Sequence, residues 1–123
     1  MNFLEAVETC FRKYASGRGR ASRSEFWYWT LFNVLVGLVA ITADYLLFPT
    51  TAWNPIETLT DIALFLPSWA VAIRRLHDIN RTGYWLLIAL TGIGIVLLIY
   101  WNCVKGTDGD NDYGSDPLKS LAA

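Results

Sequence analysis

The chain has 123 residues, of which 54% are hydrophobic and 17% are charged, and its formal net charge is −1. Soluble domains carry about 25% charged residues, so this composition argues against a soluble domain. The near-neutral balance gives no sign of nucleic-acid binding. A chain of this length forms one domain. Three membrane helices of about 20 residues each would take up about half of it, which excludes a large extramembrane domain.

Residues 1–20 predict an amphipathic helix followed by a basic turn. Apolar side chains recur at helical spacing from Phe3 to Tyr14, and charged residues lie between them. The segment contains Glu5 and Glu8 and lacks an apolar core, so we do not interpret it as a cleavable signal peptide. We expect this helix to lie on the membrane surface.

Three apolar segments follow, which we interpret as membrane spans over about residues 26–48, 55–73 and 84–104. Each is flanked by aromatic side chains and separated from the next by a short polar loop. Residues 105–123 form a polar tail. The sequence therefore predicts an all-α membrane protein, a three-span helical bundle with an amphipathic N-terminal helix.

Local signals indicate where two of these helices begin. The stretches Ser22 to Glu25 and Asn54 to Glu57 each combine an N-cap residue with a carboxylate three positions later. The second stretch also has Pro55 at the first helical position, where proline is favoured. Pro67 removes a backbone hydrogen bond in the middle of the second span and should kink it.

The distribution of lysine and arginine predicts the orientation in the membrane. Five precede the first span and three lie between the second and third spans, whereas the loop between the first two spans has none. Because such basic loops stay in the cytoplasm, the N-terminus should be cytoplasmic. With three spans, the tail would then lie outside.

Basic and polar residues near that cytoplasmic face are candidates for binding anionic lipid headgroups or another anionic ligand. Each cation near such headgroups contributes about 1 kcal/mol of attraction, and guanidinium groups bind phosphate or carboxylate through paired hydrogen bonds. The same charges would also act simply as topology signals, and this interpretation stays open. The candidates are Arg18, Arg20, Arg23, Arg74, Arg75, His77, Asp78 and Arg81.

His77 and Asp78 also raise the question of catalysis, because a histidine held near a carboxylate can transfer protons. Adjacent helical residues project about 100° apart, whereas Arg74 and Asp78 are four apart and should pair on one face. The chain has one histidine and lacks a phosphate-binding loop and a nucleophile motif. The sequence therefore predicts no enzymatic activity, no cofactor and no metal site.

Polar residues within or near the predicted spans suggest an alternative function, an oligomeric transporter or channel component. Ionisable residues at such depth are candidates for an ion or proton path. The carboxylates also lie where they would complement a helix dipole or reach water, and an asparagine is expected to hydrogen-bond another helix. These candidates are Asn33, Asp44, Glu57 and Asp61.

Three polar motifs together resemble a known family. They cover residues 19–27 (GRASRSEFW), 74–78 (RRLHD) and 106–117, in the order and with the spacing of the domain of unknown function 805 family. The resemblance extends over nearly the whole chain. It implies a small multi-pass protein of the bacterial inner membrane, and it implies no particular activity. The tail motif comprises Gly109, Asn111, Tyr113, Gly114, Asp116 and Pro117, which we interpret as a turn-rich cap.

These observations combine into one expectation about function. We expect an integral inner-membrane protein without enzymatic activity that binds lipid or a protein partner through its basic cytoplasmic face. The expected partners are anionic membrane lipids, a second copy of the chain or another membrane protein, and not nucleic acid.

Overall fold

The structure is a computed structural model that describes residues 2–114 and residue 117. This part of the chain contains helices and no strand, which confirms the all-α class. The elements are α1 (Phe3–Arg12), α2 (Arg23–Leu47), α3 (Pro55–Asp78), a 3₁₀ helix (Gly83–Thr91) and α4 (Ile93–Cys103).

Helices α2 and α3 are an antiparallel pair and are both long and apolar enough to cross a membrane. At about 1.5 Å per residue, each extends more than the roughly 30 Å of a bilayer core. Their outward-facing side chains are apolar and exposed, as expected of helices that contact lipid; examples are Leu38, Val39, Leu46 and Phe65. We call the end where α2 begins and α3 ends the polar end, and the opposite end the far end.

The predicted third span is not one helix, and the three-span prediction is therefore not confirmed. The segment divides at Gly92, which has a positive φ of 73°. A Cβ at Gly94 would lie 1.8 Å from the carbonyl oxygen of Ile88, so the chain can fold back on itself only because Cβ is absent there. Trp85 and Trp101 then meet edge to face with ring centroids 5.5 Å apart. The 3₁₀ helix and α4 thus form a hairpin whose two ends lie together.

This hairpin returns the tail to the polar end. The backbone N–H of Thr107 donates to the carbonyl of Asp78 at 2.7 Å. A Cβ on Gly106 would lie 2.0 Å from Asp78 Oδ2, so the tail passes as close to the end of α3 as a glycine allows. The three-span interpretation placed the tail and the arginine motifs on opposite faces of the bilayer, whereas the structure has them in contact.

Helix α1 is amphipathic, as predicted, and packs against both long helices. Its buried face consists of Ala6, Thr9 and Cys10. Phe11 meets the ring of Trp29 edge to face, with centroids 5.3 Å apart. The helix therefore lies against the side of the α2–α3 pair near the polar end.

A proline inside α3 creates an attachment point for the segment after α1. Proline has no N–H, so Pro67 leaves the carbonyl of Ala63 without its usual helical donor. The hydroxyl of Tyr14 donates to that carbonyl. A hydrogen bond of this kind contributes about 0.5–1.5 kcal/mol, so it compensates in part for the proline and fastens the N-terminal segment to α3.

Candidate functional site

Buried ion pairs join the elements that meet at the polar end. Arg20 lies 3.0 Å from Asp78 Oδ1, and Arg75 lies 2.7 Å from Asp78 Oδ2. Arg74 lies 2.7 Å from Glu25 Oε2. Each of these five side chains is at most 4% exposed. Because removing a charge from water is costly unless it is paired, these contacts hold the two long helices and the basic turn in one arrangement.

The predicted pair between Arg74 and Asp78 is wrong. Arg74 faces α2 and pairs with Glu25, while Asp78 pairs with Arg75, three residues before it. Glu25 was expected to complete a capping box with Ser22. Its backbone N–H does donate to the Ser22 hydroxyl at 3.3 Å, but its carboxylate turns to the guanidinium of Arg74. Packing against α2 decided the partner of Arg74, whereas the pair of Arg75 and Asp78 follows the i,i+3 spacing within α3.

Backbone carbonyls of α4 and the tail accept further hydrogen bonds from two of the arginines, Arg20 and Arg75. Arg20 donates from Nη1 to the carbonyl of Gly109 and from Nη2 to the carbonyl of Thr107, both at 2.6 Å. Arg75 donates to the carbonyls of Val104 and Trp101. A guanidinium carries five N–H groups in a planar fork, which lets one side chain bind a carboxylate and several carbonyls.

His77 contacts the tail and is not paired with Asp78 as a catalytic dyad would be. The rings of His77 and Tyr113 stack with centroids 4.1 Å apart and planes inclined by 3°. His77 Nδ1 lies 2.9 Å from the carbonyl oxygen of Gly19. The side-chain amide of Asn111 donates to the carbonyl of His77 at 2.9 Å. The ring is therefore held between the first motif and the tail motif.

The tail motif itself forms a tight turn. Asn111 and Gly114 exchange two backbone hydrogen bonds, at 3.0 and 3.2 Å, and the N–H of Tyr113 donates to Asn111 Oδ1 at 2.9 Å. Gly109 and Gly114 both have a positive φ, which glycine adopts without strain. Pro117 is partly buried, and Asp116 lies outside the described residues.

The remaining basic candidates are placed differently. Arg18 and Arg23 are exposed at the polar end, and within residues 2–114 and 117 neither forms an ion pair. Arg23 donates to the carbonyl of Cys103 at 3.2 Å. Arg81 lies over the ring of Trp101, with its guanidinium carbon 4.3 Å from the ring centroid, an attractive cation–π contact. The predicted basic face thus separates into buried, aromatic-bound and exposed cations.

The three acidic candidates lie at the far end of the α2–α3 pair. Asp44 is buried and accepts the backbone N–H groups of Ile56 and Glu57 at 2.8 and 2.9 Å. It therefore caps the start of α3, a role expected of Asn54, whose side chain instead donates to Glu57 at 3.2 Å. Asp61 is exposed. Their role in an ion path stays a prediction.

Asn33 joins α2 to α3, as the sequence predicted. Its Oδ1 accepts from the hydroxyl of Ser68 at 3.5 Å, and its amide donates to the carbonyl of Trp29 at 2.9 Å. The indole N–H of Trp29 also donates to the Ser68 hydroxyl, at 2.9 Å. Polar side chains between apolar helices associate in this way because lipid offers them no partner.

Cys10 lies beneath the ion pairs and is fully buried. Burial raises the pKa of its thiol to about 11, and the nearby Glu25 carboxylate adds to the shift. Since the thiolate is the reactive form, Cys10 is expected to be unreactive near neutral pH. Cys103 is exposed at the end of α4. The two thiols therefore differ in their access to reagents in solution.

Two residues that build the site were not among the sequence candidates. Glu25 was assigned to a helix cap, and its place in the first motif beside Arg20 and Arg23 was the signal that could have marked it as the partner of an arginine. Gly106 was included in a motif without a role, and its contact with Asp78 depends on the hairpin, for which the sequence carried no local signal.

Comparison with known proteins gives one family. The family described as "Protein of unknown function (DUF805)" matches residues 14–115. "Inner membrane protein YhaH" of Escherichia coli strain K12 is 39% identical over 109 residues, which are 86% of this chain and 90% of that protein. "Inner membrane protein YhaI" of the same strain is 40% identical over 107 residues, 86% and 89% of the two chains. No solved structure matches.

The matched residues include α2, α3 and all three polar motifs up to residue 115, so the likeness covers the ion pairs and most of the tail motif. Two relatives with 39% and 40% identity are inner membrane proteins, in agreement with the two membrane-capable helices. The chain therefore belongs to the DUF805 family.

Proposed function

We propose that this protein is an inner-membrane module that binds anionic lipid headgroups at its polar end and has no enzymatic activity. The observation that carries this proposal is the division of the basic residues. Arg20, Arg74 and Arg75 form ion pairs inside the protein, whereas other cations at the same end face outward. Outward-facing cations beside a membrane attract anionic headgroups.

The segment after α1 offers the best-formed place for a headgroup. Residues 12–18 surround an open depression of about 550 Å³. Arg12, Lys13 and Arg18 contribute three cations to it, and each is worth about 1 kcal/mol near an anionic surface. Tyr14, in the same stretch, is fastened to α3, which keeps the stretch at a constant depth beside the bilayer.

The proposed orientation has two membrane crossings, α2 and α3, with the N-terminus and the tail both in the cytoplasm. All ten lysines and arginines of the chain precede residue 24 or follow residue 73, and residues 48–54 between the helices have none. Such an asymmetry favours a cytoplasmic polar end. The hairpin of the 3₁₀ helix and α4 then enters the cytoplasmic half of the bilayer and returns.

The absence of enzymatic activity is part of the same proposal. One nitrogen of His77 lies against a backbone carbonyl and one face of its ring is covered by Tyr113, so among the described residues the ring is held in place without a carboxylate to move its proton. Self-association and binding of another membrane protein stay predictions, because the exposed apolar surface of the long helices is also what lipid would cover.

Lipid retention tests the headgroup site. The full chain is reconstituted in phosphatidylcholine nanodiscs containing a minor fraction of phosphatidylglycerol, and the lipid that remains after transfer to detergent is quantified. We expect the triple variant Arg12→Gln, Lys13→Gln, Arg18→Gln to retain at least about fivefold less phosphatidylglycerol, since three attractive charges are removed. The matched control is Lys105→Gln, because Lys105 already pairs with Asp108 at 2.8 Å. Equal retention by both variants would refute the site.

Cysteine labelling in intact cells tests the orientation. In a background without Cys10 and Cys103, a cysteine replaces Ser115 in the tail, and an impermeant maleimide is added. We expect protection in intact cells and labelling after permeabilisation. The comparison variant Thr51→Cys, between α2 and α3, should show labelling in intact cells. Labelling of the tail position in intact cells would contradict the two-crossing arrangement.

A further inference from the structure

A cavity separate from the basic depression lies between the C-terminal half of α3 and the 3₁₀ helix. Its volume is about 510 Å³, within the range of roughly 300–1,000 Å³ that is typical of small-ligand sites. Apolar side chains line most of it, and its described lining contains no Asp, Glu, Lys or Arg. The apolar side of the lining includes Trp69, Ile73, Leu86 and Leu87, and the polar groups are His77, Thr82 and the hydroxyl of Tyr84.

His77 presents a defined hydrogen-bonding group to this cavity. The carbonyl oxygen of Gly19 can only accept, so His77 Nδ1, 2.9 Å away, carries the proton. In the neutral ring Nε2 is then an acceptor, and residues 2–114 and 117 supply no hydrogen-bond partner for it. The stacked ring of Tyr113 and the contact of Nδ1 with the Gly19 carbonyl keep the imidazole in place, and the amide of Asn111 binds the backbone carbonyl of the same residue. The acceptor is therefore fixed before any ligand arrives.

Thr82 supplies a second polar group at the same cavity. It occupies the N-cap position of the 3₁₀ helix, yet its side chain makes no capping hydrogen bond. Its hydroxyl remains able to donate or accept. A few uncharged polar groups beside an otherwise apolar surface match an amphiphile with a small uncharged head and a hydrocarbon chain.

We infer that this cavity binds an uncharged lipid with a free hydroxyl group. The hydroxyl donates to His77 Nε2, Thr82 contacts the neighbouring oxygen, and the hydrocarbon chain lies against Trp69 and Leu87. A lining without cations offers nothing to a phosphate, which separates this site from the proposed headgroup site. The inference goes beyond the proposed function, because it concerns another cavity and another class of lipid.

A pair of ligands tests the hydroxyl without changing the protein. The full chain in detergent micelles is titrated with dioleoylglycerol and with the analogue in which the free hydroxyl is a methyl ether. We expect the ether to bind about tenfold more weakly, since Nε2 loses its only donor and one hydrogen bond is worth about that factor. Equal affinity for the two ligands would overturn the inference.

A pair of variants tests the cavity. Leu87→Trp places an indole inside it and should weaken dioleoylglycerol binding at least about tenfold by occlusion. Leu90→Trp is the matched control, because Leu90 lies in the same 3₁₀ helix, is 87% exposed and does not line the cavity. Thr82→Val changes one polar atom, keeps the side-chain shape and should weaken binding about threefold. Equal binding by the Leu87 and Leu90 variants would place the lipid elsewhere.

The two lipid sites are distinguished by one further measurement. The variant Arg12→Gln, Lys13→Gln, Arg18→Gln should bind dioleoylglycerol as tightly as the unchanged chain, whether or not it retains phosphatidylglycerol. A parallel loss of dioleoylglycerol binding would show that a single surface binds both lipids and would overturn the inference.

Discussion

The two ends of the α2–α3 pair are held together by different chemistry. At the far end a single carboxylate, Asp44, accepts two backbone N–H groups at the start of α3. At the polar end three buried guanidinium groups face two carboxylates, and backbone carbonyls of the tail accept further hydrogen bonds from them. At the far end, the N–H groups at the start of a helix bind the buried carboxylate. At the polar end, the buried guanidinium groups also bind carbonyls from another part of the chain, the tail.

This difference gives the tail a structural role. Within residues 2–114 and 117, two carboxylates face three buried guanidinium groups, and carbonyl oxygens of α4 and the tail accept further hydrogen bonds from Arg20 and Arg75. The tail is thus part of the charge balance of the polar end. The hairpin of the 3₁₀ helix and α4 brings these carbonyls to the polar end.

The largest expected effect follows from removing the shared carboxylate of the polar end. Asp78→Asn leaves Arg20 and Arg75 without their common anion, and breaking a buried pair in this way costs about 3–5 kcal/mol. We expect a large drop in the Tm measured in detergent, or failure to accumulate in the membrane. Asp108→Asn is the control, because Asp108 pairs with Lys105 at the surface. Similar Tm values for the two variants would contradict the shared role of Asp78.

A methyl group added between the tail and α3 tests whether the tail packs against the polar end. Gly106→Ala would place Cβ 2.0 Å from Asp78 Oδ2, and relieving such overpacking costs about 1–3 kcal/mol. We expect a lower Tm and faster proteolysis of the tail. Gly37→Ala, on α2, meets nothing within 4 Å and should be neutral or slightly stabilising. An unchanged cleavage rate in the Gly106 variant would mean that the tail is not held there.

The far end should be less sensitive than the polar end. Asp44→Ala removes the cap of α3 and should cost about 1–2 kcal/mol, as other N-cap losses do. Asp61 is an exposed residue of α3, the helix that Asp44 caps, and Asp61→Ala should change the free energy of unfolding by less than about 0.5 kcal/mol. Chemical denaturation in mixed micelles measures both values. A loss at Asp44 as large as that at Asp78 would remove the distinction between the two ends.

The attachment at Pro67 lies between the two ends and should have a smaller effect. Tyr14→Phe removes the donor to the carbonyl of Ala63 and should cost about 1 kcal/mol. In a Pro67→Ala background the helix regains its own N–H donor, so the same Tyr14 change should then cost almost nothing. A double-mutant cycle measures the coupling. Equal costs in the two backgrounds would show that Tyr14 does not compensate for the proline.

The smallest effect concerns reactivity and leaves stability unchanged. Cys10 lies beneath the polar end with a pKa raised to about 11, so at pH 8 almost all of it is the unreactive thiol. We expect one maleimide per folded chain at pH 8, on Cys103, and two after denaturation. Raising the pH toward 11 increases the thiolate fraction of Cys10, but labelling should still be limited by the access of the reagent to the buried thiol. Rapid labelling of Cys10 at pH 8 would show that the polar end opens.

The sequence by itself determined the class of protein and most of the helices. The excess of apolar residues, the periodicity before Tyr14 and the start of α2 after Ser22 are local signals, and the structure agrees with each. Helix α3 runs on to Asp78, beyond the predicted end of its span, because its last turns are stabilised by ion pairs with α2 and with the basic turn.

Only the tertiary structure decided how the third apolar segment runs and which charges pair. A run of apolar residues can cross the membrane or fold back, and the difference here depends on Gly94 packing against the carbonyl of Ile88 and on Arg75 binding the carbonyl of Trp101. Likewise, Arg74 pairs with Glu25 because the helices place them side by side. These contacts join residues far apart in the chain, and hydrophobic periodicity and residue spacing report only on neighbours along it.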